Sequence, residues 1–304
     1  MKPATRTFYQ EAVRRSCAQI VDSLDAALDL TALAKQAALA PLHFHHVFRG
    51  MVGETPLELH RRLRRERAGA RLLDTDDAVT AIAFAAGYET HEATTRVFRK
   101  TYASSPTEWR AKAHAARASC ERPPQHLIAA RCGLHFPDGE LTFLPGERTM
   151  DATIETIPRM RVAAVRHIGP YNQISEAYAR LGRIAGPAGL YATPGIKMVG
   201  LYYDSPEATP TAELRSDAGL ALPDGTPIPA GLSEVIIPAG RYAKSVHKGP
   251  YSGLPDAWAQ LMGGWIPQHG HRVDGGVSFE VYPNSPMDTK PEDLLTEIYV
   301  PLAE

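Results

Sequence analysis

The second half of the chain repeats itself. Residues Ile157 to Leu181, IPRMRVAAVRHIGPYNQISEAYARL, align without a gap on Ile237 to Leu261, IPAGRYAKSVHKGPYSGLPDAWAQL, at an offset of 80. The same offset lays Val199 to Pro206 (VGLYYDSP) on Phe279 to Pro286 (FEVYPNSP). Each copy therefore reads as a strand, a Gly-Pro-Tyr turn, a helix and two strands joined by a turn holding Ser-Pro. A β-α-β-β unit this small cannot bury both faces of its own sheet. Pairing two of them about a pseudo-two-fold axis buries the helices and leaves a cleft between the units. Tyr171, Tyr202, Tyr251, Trp258 and Tyr282 are candidates for the wall of that cleft, and each is equally compatible with an ordinary core position. Gly169 and Gly249 supply the strand-to-helix turn ahead of each proline.

The first half has a different grammar. From Ala78 to Trp109 the chain reads as two short helices joined by a tight turn and closed by a third helix start. Val79, Ile82, Ala83 and Ala86 fall at helical spacing, Gly87 suits the positive φ of the turn, and Thr90 caps a helix carrying Ala93, Val97 and Phe98 inward. Its other face holds His91, Glu92, Thr95, Arg96, Arg99 and Lys100. Such a face suits a duplex major groove, and it equally suits any amphipathic surface helix. A second copy upstream favours the groove: Thr31 to Ala38, then Leu42 to Val52 with Phe44, Val47 and Phe48 inward and His43, His45, His46 and Arg49 outward. Pro56 to Leu73 reads as one helix between the copies, its arginines forming a solvated face with some phosphate contact. Ahead of both, Val13, Cys17, Ile20, Val21, Leu24 and Leu28 predict a long amphipathic helix from Phe8 to Leu30.

Charge separates the halves. Residues 1 to 120 hold 18 Lys+Arg against 13 Asp+Glu, whereas residues 121 to 304 hold 15 against 21. A basic helical half and an acidic repeated half imply two jobs. The expected architecture is multidomain: an all-α double helix-turn-helix DNA-binding domain at 1–118, a proline-broken linker at 119–150 in which 141–143 could form a strand, and an α+β domain at 151–304 of two β-α-β-β repeats forming a ligand cleft.

The motif AIAFAAGYETHEATTRVFRKTYASSPTEWR, with LTALAKQAALAPLHFHHVFRGMVGETPLELH ahead of it, resembles the AraC/XylS family of bacterial transcription regulators over about a third of the chain. The resemblance puts Leu42, His45, His46 and Arg49 on a first DNA-recognition helix and His91, Glu92, Thr95, Arg96 and Lys100 on a second. Held by the intervening helix, the two would enter adjacent major grooves about 34 Å apart. The first unit departs from the family pattern: Ala38 stands where a turn glycine is usual and Ala40 where a capping Ser is usual, each at a cost of about 1 kcal/mol. His46 also replaces an Arg, which weakens a phosphate or base contact.

The repeated half, with FEVYPNSPMDTKPEDLLTEIYVPL at its end, resembles the GyrI-like small-molecule-binding domain. The resemblance implies a lipophilic, often cationic ligand and makes Glu297 the expected pocket anchor. Along its strand Glu297 alternates with Leu295 and Tyr299, and the matching strand DAGLALP sets Gly219 opposite it, so that only one half of the cleft would carry charge.

The combined expectation is a DNA-binding transcription regulator controlled by a small effector, with promoter DNA as partner and RNA polymerase a further partner the resemblance allows. The alternative is a GyrI-like hydrolase or sequestering detoxification protein fused to a DNA-binding module, with Glu280 and Glu297 as the general base. No cofactor or metal is expected. Cys17, Cys120 and Cys132 are too few and scattered for a zinc site, and His43, His45 and His46 have no carboxylate or cysteine nearby to complete one. The chain shows no signal-peptide core and no membrane-spanning run, so a cytoplasmic, soluble protein is expected, and no nucleophile-base pair, metal motif or phosphate loop accompanies the two carboxylates, so a non-enzymatic one.

Overall fold

A computed structural model describes residues 3–118 and 150–303. Its helices are α1 (Pro3–Asp22), α2 (Leu30–Gln36), α3 (Pro41–Val52), α4 (Pro56–Asp74), α5 (Val79–Ala85), α6 (His91–Tyr102) and α7 (Pro106–Ala118). The repeated half follows as β1 (Ala152–Ile157), β2 (Met160–Ile168), α8 (Ser175–Ala185), β3 (Lys197–Tyr202) and β4 (Arg215–Leu222), then β5 (Ser233–Ile237), β6 (Gly240–Lys248), α9 (Leu254–Ala259), β7 (Phe279–Tyr282) and β8 (Leu295–Pro301). Contacts gather these elements into two units. One combines the start of α1, α2 and α3 with the repeated half, and the other combines the end of α1 with α4 to α7.

In the second unit, Ala68, Leu72 and Leu73 of α4 form a core with Ile82, Phe98 and Trp109. The α5–α6 turn follows the expected chemistry: Gly87 has φ +81° and the Thr90 side chain accepts from Ala93 N–H. Helix α4 begins with a reciprocal capping box between Thr55 and Glu58. Its arginines are more engaged than a solvated face would be. Arg62 pairs with Glu54 and Glu66, Arg67 with Asp25, and the Arg64 guanidinium lies where a Cβ on Gly87 would fall. The fold places these groups beside neighbouring segments, which a charge count cannot reveal. Cys17 is buried, and burial pushes its thiol up to about 12, so it stays protonated.

The helix predicted from Phe8 to Leu30 ends at Asp22. Ser23 Oγ turns back to Gln19 O, and Asp29 caps a new helix by accepting from Ala32 N–H. Capping chemistry overrides the apolar spacing, and Val21, inside α1 and predicted to face inward, is exposed. The segment 141–143 and Cys120 and Cys132 lie outside the described residues.

The eight strands form one antiparallel sheet in the order β1-β6-β8-β7-β3-β4-β2-β5. The order is symmetric about the β7–β3 junction, as the repeat requires. Each copy has one strand more than expected, making it β-β-α-β-β, and the extra strands are exchanged: β1 of the first copy pairs with β6, and β5 of the second with β2. These edge strands, ATIETI and SEVII, are short and largely solvated, so their periodicity is weak. Ile157, Val162, Val199, Ala221, Ile237, Tyr242, Phe279 and Tyr299, drawn from eight strands, converge in one cluster. Strands laid flat at their usual spacing would span roughly 34 Å, so the sheet must curl around this core. The opposite face carries α8, whose Ala177, Leu181 and Ala185 pack on Ala163, Val165, Ala218 and Leu220.

Candidate functional site

Residues separated by 80 positions meet on the helix-bearing face beside the β7–β3 junction. Tyr202 and Tyr282 share a hydrogen bond at 3.0 Å between hydroxyls. Tyr178, on α8, stands edge-on to Tyr282 with ring centroids 5.9 Å apart and donates to Val199 O at 2.8 Å. Its repeat mate is Trp258 on α9. Tyr251 packs edge-on against Tyr282, and its mate Tyr171 against Tyr202, at 5.7 and 5.0 Å. The structure thus brings all five predicted aromatics together and adds Tyr178, which the repeat could have flagged as the counterpart of Trp258.

Glu280 lies at the centre of this box and is 2% exposed. Trp258 Nε1 donates to Oε1 at 2.6 Å, and the Tyr282 hydroxyl donates to Oε2. Burial raises its pKa above the usual carboxylate range, with the hydrogen bonds from Tyr282, Trp258 and Tyr202 working against that rise. The same buried, electron-rich surroundings push the hydroxyl pKa values of Tyr178, Tyr202 and Tyr282 well above their ordinary value, burial first and the Glu280 charge contributing. The repeat mate of Glu280 is Gly200, which pairs with it across β3 and β7. A Cβ there would fall 2.7 Å from the Tyr282 hydroxyl oxygen, so the first copy contributes floor where the second contributes charge.

Glu297 does not belong to this box. Its register partner is Val281, so it shares the inner face with Tyr299, one residue out of phase with Glu280. There it pairs with Lys244 Nζ at 3.0 Å and accepts from the Tyr299 hydroxyl at 3.0 Å. Gly219 is likewise an inner-face position, where a Cβ would meet Val162 Cγ1 at 2.4 Å. The register sets Asp217, not Gly219, at the place equivalent to Glu297, because Leu201 pairs with Asp217 as Val281 pairs with Glu297; both copies carry a carboxylate there, and the one-sided charge is found instead at Glu280 and Gly200. Because they face opposite sides of the sheet, Glu280 and Glu297 cannot act together as a catalytic pair.

On the DNA side, α6 presents His91, Glu92, Arg96, Arg99 and Lys100 as exposed residues, with Thr95 half-buried beside His91. Helix α3 does not present the outward face its pattern suggests. Leu42 and His43 are buried, His43 Nε2 lies 3.3 Å from Ser278 Oγ, and His45 Nδ1 lies 3.7 Å from Glu207. His46 stacks on Trp258 with ring centroids 5.4 Å apart and planes at 22°, and Arg49 pairs with Asp256 at 2.8 Å. Burial lowers the pKa of His43 to about 4 and holds that of His46 well below the usual imidazole value, so both are neutral near pH 7. The polar side of α3 meets a polar surface of its own chain, an outcome amphipathic spacing cannot distinguish from contact with water or DNA. Among the described residues, no cluster fit to hold a metal ion occurs, and no helix is long and apolar enough to cross a membrane.

Comparison with known proteins gives two matches to families. The GyrI-like small molecule binding domain matches residues 150–303, and a helix-turn-helix domain matches residues 33–112. A DNA gyrase inhibitor of Yersinia enterocolitica is 34% identical over 136 residues, covering 43% of this chain and 84% of that protein. The HTH-type transcriptional regulator Rv1931c of Mycobacterium tuberculosis is 41% identical over 78 residues, covering 26% of this chain and 30% of that one. The cryo-EM structure of an EcmrR–DNA complex covers 90% of this chain and 99% of its own at 17% identity, with a TM-score of 0.42.

Proposed function

The chain belongs to the GyrI-like small-molecule-binding family and joins that domain to a helix-turn-helix domain, and from this premise we propose a transcription regulator whose effector is a lipophilic aromatic monocation held at Glu280. One observation carries the reading: a buried carboxylate whose hydrogen-bond donors, Trp258, Tyr282 and Tyr202, are all neutral. Ionised Glu280 bears a desolvation cost that these neutral dipoles offset in part. A bound cation relieves the rest, while the surrounding rings offer π-faces to its apolar body. Gly200 leaves the other copy without a charge, which suits one positive charge rather than two. Exposed Arg96, Arg99 and Lys100 of α6 make that helix the DNA reader, with His91, Glu92 and Thr95 beside them.

The site is read as binding rather than catalytic, since both Glu280 oxygens accept hydrogen bonds, from Trp258 and Tyr282, and Glu297 lies across the sheet. Calorimetry on the full chain tests the anchor with methyltriphenylphosphonium and its neutral near-isostere triphenylphosphine oxide. Glu280→Gln should weaken the cation by roughly 1 to 3 kcal/mol, the range for a charged hydrogen bond, and leave the neutral compound nearly unchanged. Equal losses for both would assign Glu280 to shape alone.

A further inference from the structure

Helix α3 fits its docking face closely. At Gly50 a Cβ would fall 2.0 Å from Ala259 O, and at Gly263 a Cβ would fall 2.6 Å from Gly50 Cα. Two glycines therefore let the α3 backbone touch the segment after α9, where any side chain would force the surfaces apart. That segment, Gln260–Trp265, leaves α-helical bonding for a π-helix, a rare geometry that concentrates at functional sites. Around the glycine contact stand the pairings of His43 with Ser278, His46 with Trp258 and Arg49 with Asp256. The side chains in these contacts include those that α3 would offer to a duplex, so docking and DNA reading by α3 exclude one another.

Trp258 belongs to both sites. Its N–H is bound to Glu280 while its ring is stacked on His46. We infer that the docked α3 is an effector-controlled lock on DNA reading, and that Trp258 is the positioning residue that links the aromatic box to it. In the structure, Glu280 fixes the indole and the indole holds His46. A cation that takes the Glu280 carboxylate withdraws the acceptor from the indole N–H. The ring then shifts toward ligand or solvent, His46 loses its stack, and α3 is released to DNA. The lock rests on the reading of Glu280 as the cation's anchor, and linkage makes it reciprocal: DNA that captures α3 raises affinity for the cation by the same factor.

The test uses the full chain and duplexes selected by it from a random pool. DNA affinity is measured by anisotropy without ligand and with saturating methyltriphenylphosphonium, saturation being set by calorimetry for each variant, and amide exchange is followed over residues 41–52. The cation should raise DNA affinity at least fivefold, the lower end of ordinary allosteric coupling, and speed exchange in α3. In Trp258→Phe, which keeps a ring but has no N–H, the ratio of affinities should fall to within about twofold of one. Two variants probe the lock without ligand. Gly263→Ala, and the milder Asp256→Asn should the first not fold, should speed α3 exchange and raise ligand-free DNA affinity. Unchanged DNA affinity in these variants, or a cation that binds the wild type without moving either readout, overturns the lock. If no cation binds, the Glu280 reading fails, and the ligand-free variants decide the lock alone.

Discussion

Single residues break the symmetry of the box. Gly200 and Glu280 occupy equivalent places in the two copies, yet one is floor and the other charge. Adding a methyl group at Gly200 would push on the Tyr282 hydroxyl that supports Glu280. Gly200→Ala should therefore destabilise the domain by about 1 to 3 kcal/mol, as overpacking does, and weaken the cation; thermal unfolding and calorimetry check both. Burial raises the Glu280 pKa, so the folded domain holds that proton more tightly than the unfolded chain does. The stability this confers is full below the unfolded value and is lost as pH rises through the folded one. Melting curves recorded from pH 4.5 upward should show the wild type losing stability relative to Glu280→Gln until the carboxylate has ionised. A pH-independent difference would mean that the carboxylate is not the titrating group.

Among the elements, the two helix-turn-helix units differ in how well their turns are built. Ala38 has φ +55°, a left-handed conformation that costs an alanine about 1 kcal/mol, and Ala40 opens α3 without a side-chain cap. Ala38→Gly and Ala40→Ser should each stabilise the chain by about 1 kcal/mol in denaturant titrations. Both defects were legible in the residues, because turn and cap chemistry is settled within a few positions. The second helix-turn-helix unit has its glycine and its threonine cap, and the polar face of α6 is exposed. Arg96→Ala should cost about 1 to 3 kcal/mol at a selected site and less on random DNA. An equal loss on both would make Arg96 a phosphate contact. The arginines of α4 were less legible: Arg62, Arg64 and Arg67 look like a solvated stripe until Glu54, Glu66, Gly87 and Asp25 are brought beside them.

For the whole molecule, a docked α3 leaves α6 as the reader, so a footprint of the ligand-free chain should cover one groove segment. Methyltriphenylphosphonium should extend it to a second segment about one helical turn away. Two segments without ligand would contradict the lock. The sequence by itself determined the two helical units, the 80-residue repeat, the Gly-Pro-Tyr turns and the aromatics of the box other than Tyr178, because periodicity, capping and turn preferences act over a few residues and a repeat preserves them. Only the tertiary structure decided which carboxylate enters the box, since Glu280 and Glu297 each sit among apolar neighbours on their strands and the pairing of β7 with β3 and β8 selects the face that the helices cover. It also decided the exchange of β1 and β5 and the docking of the polar side of α3 on its own chain. Those outcomes depend on complementary surfaces far apart in the chain, and an amphipathic pattern records that a face is polar without recording what that face will meet.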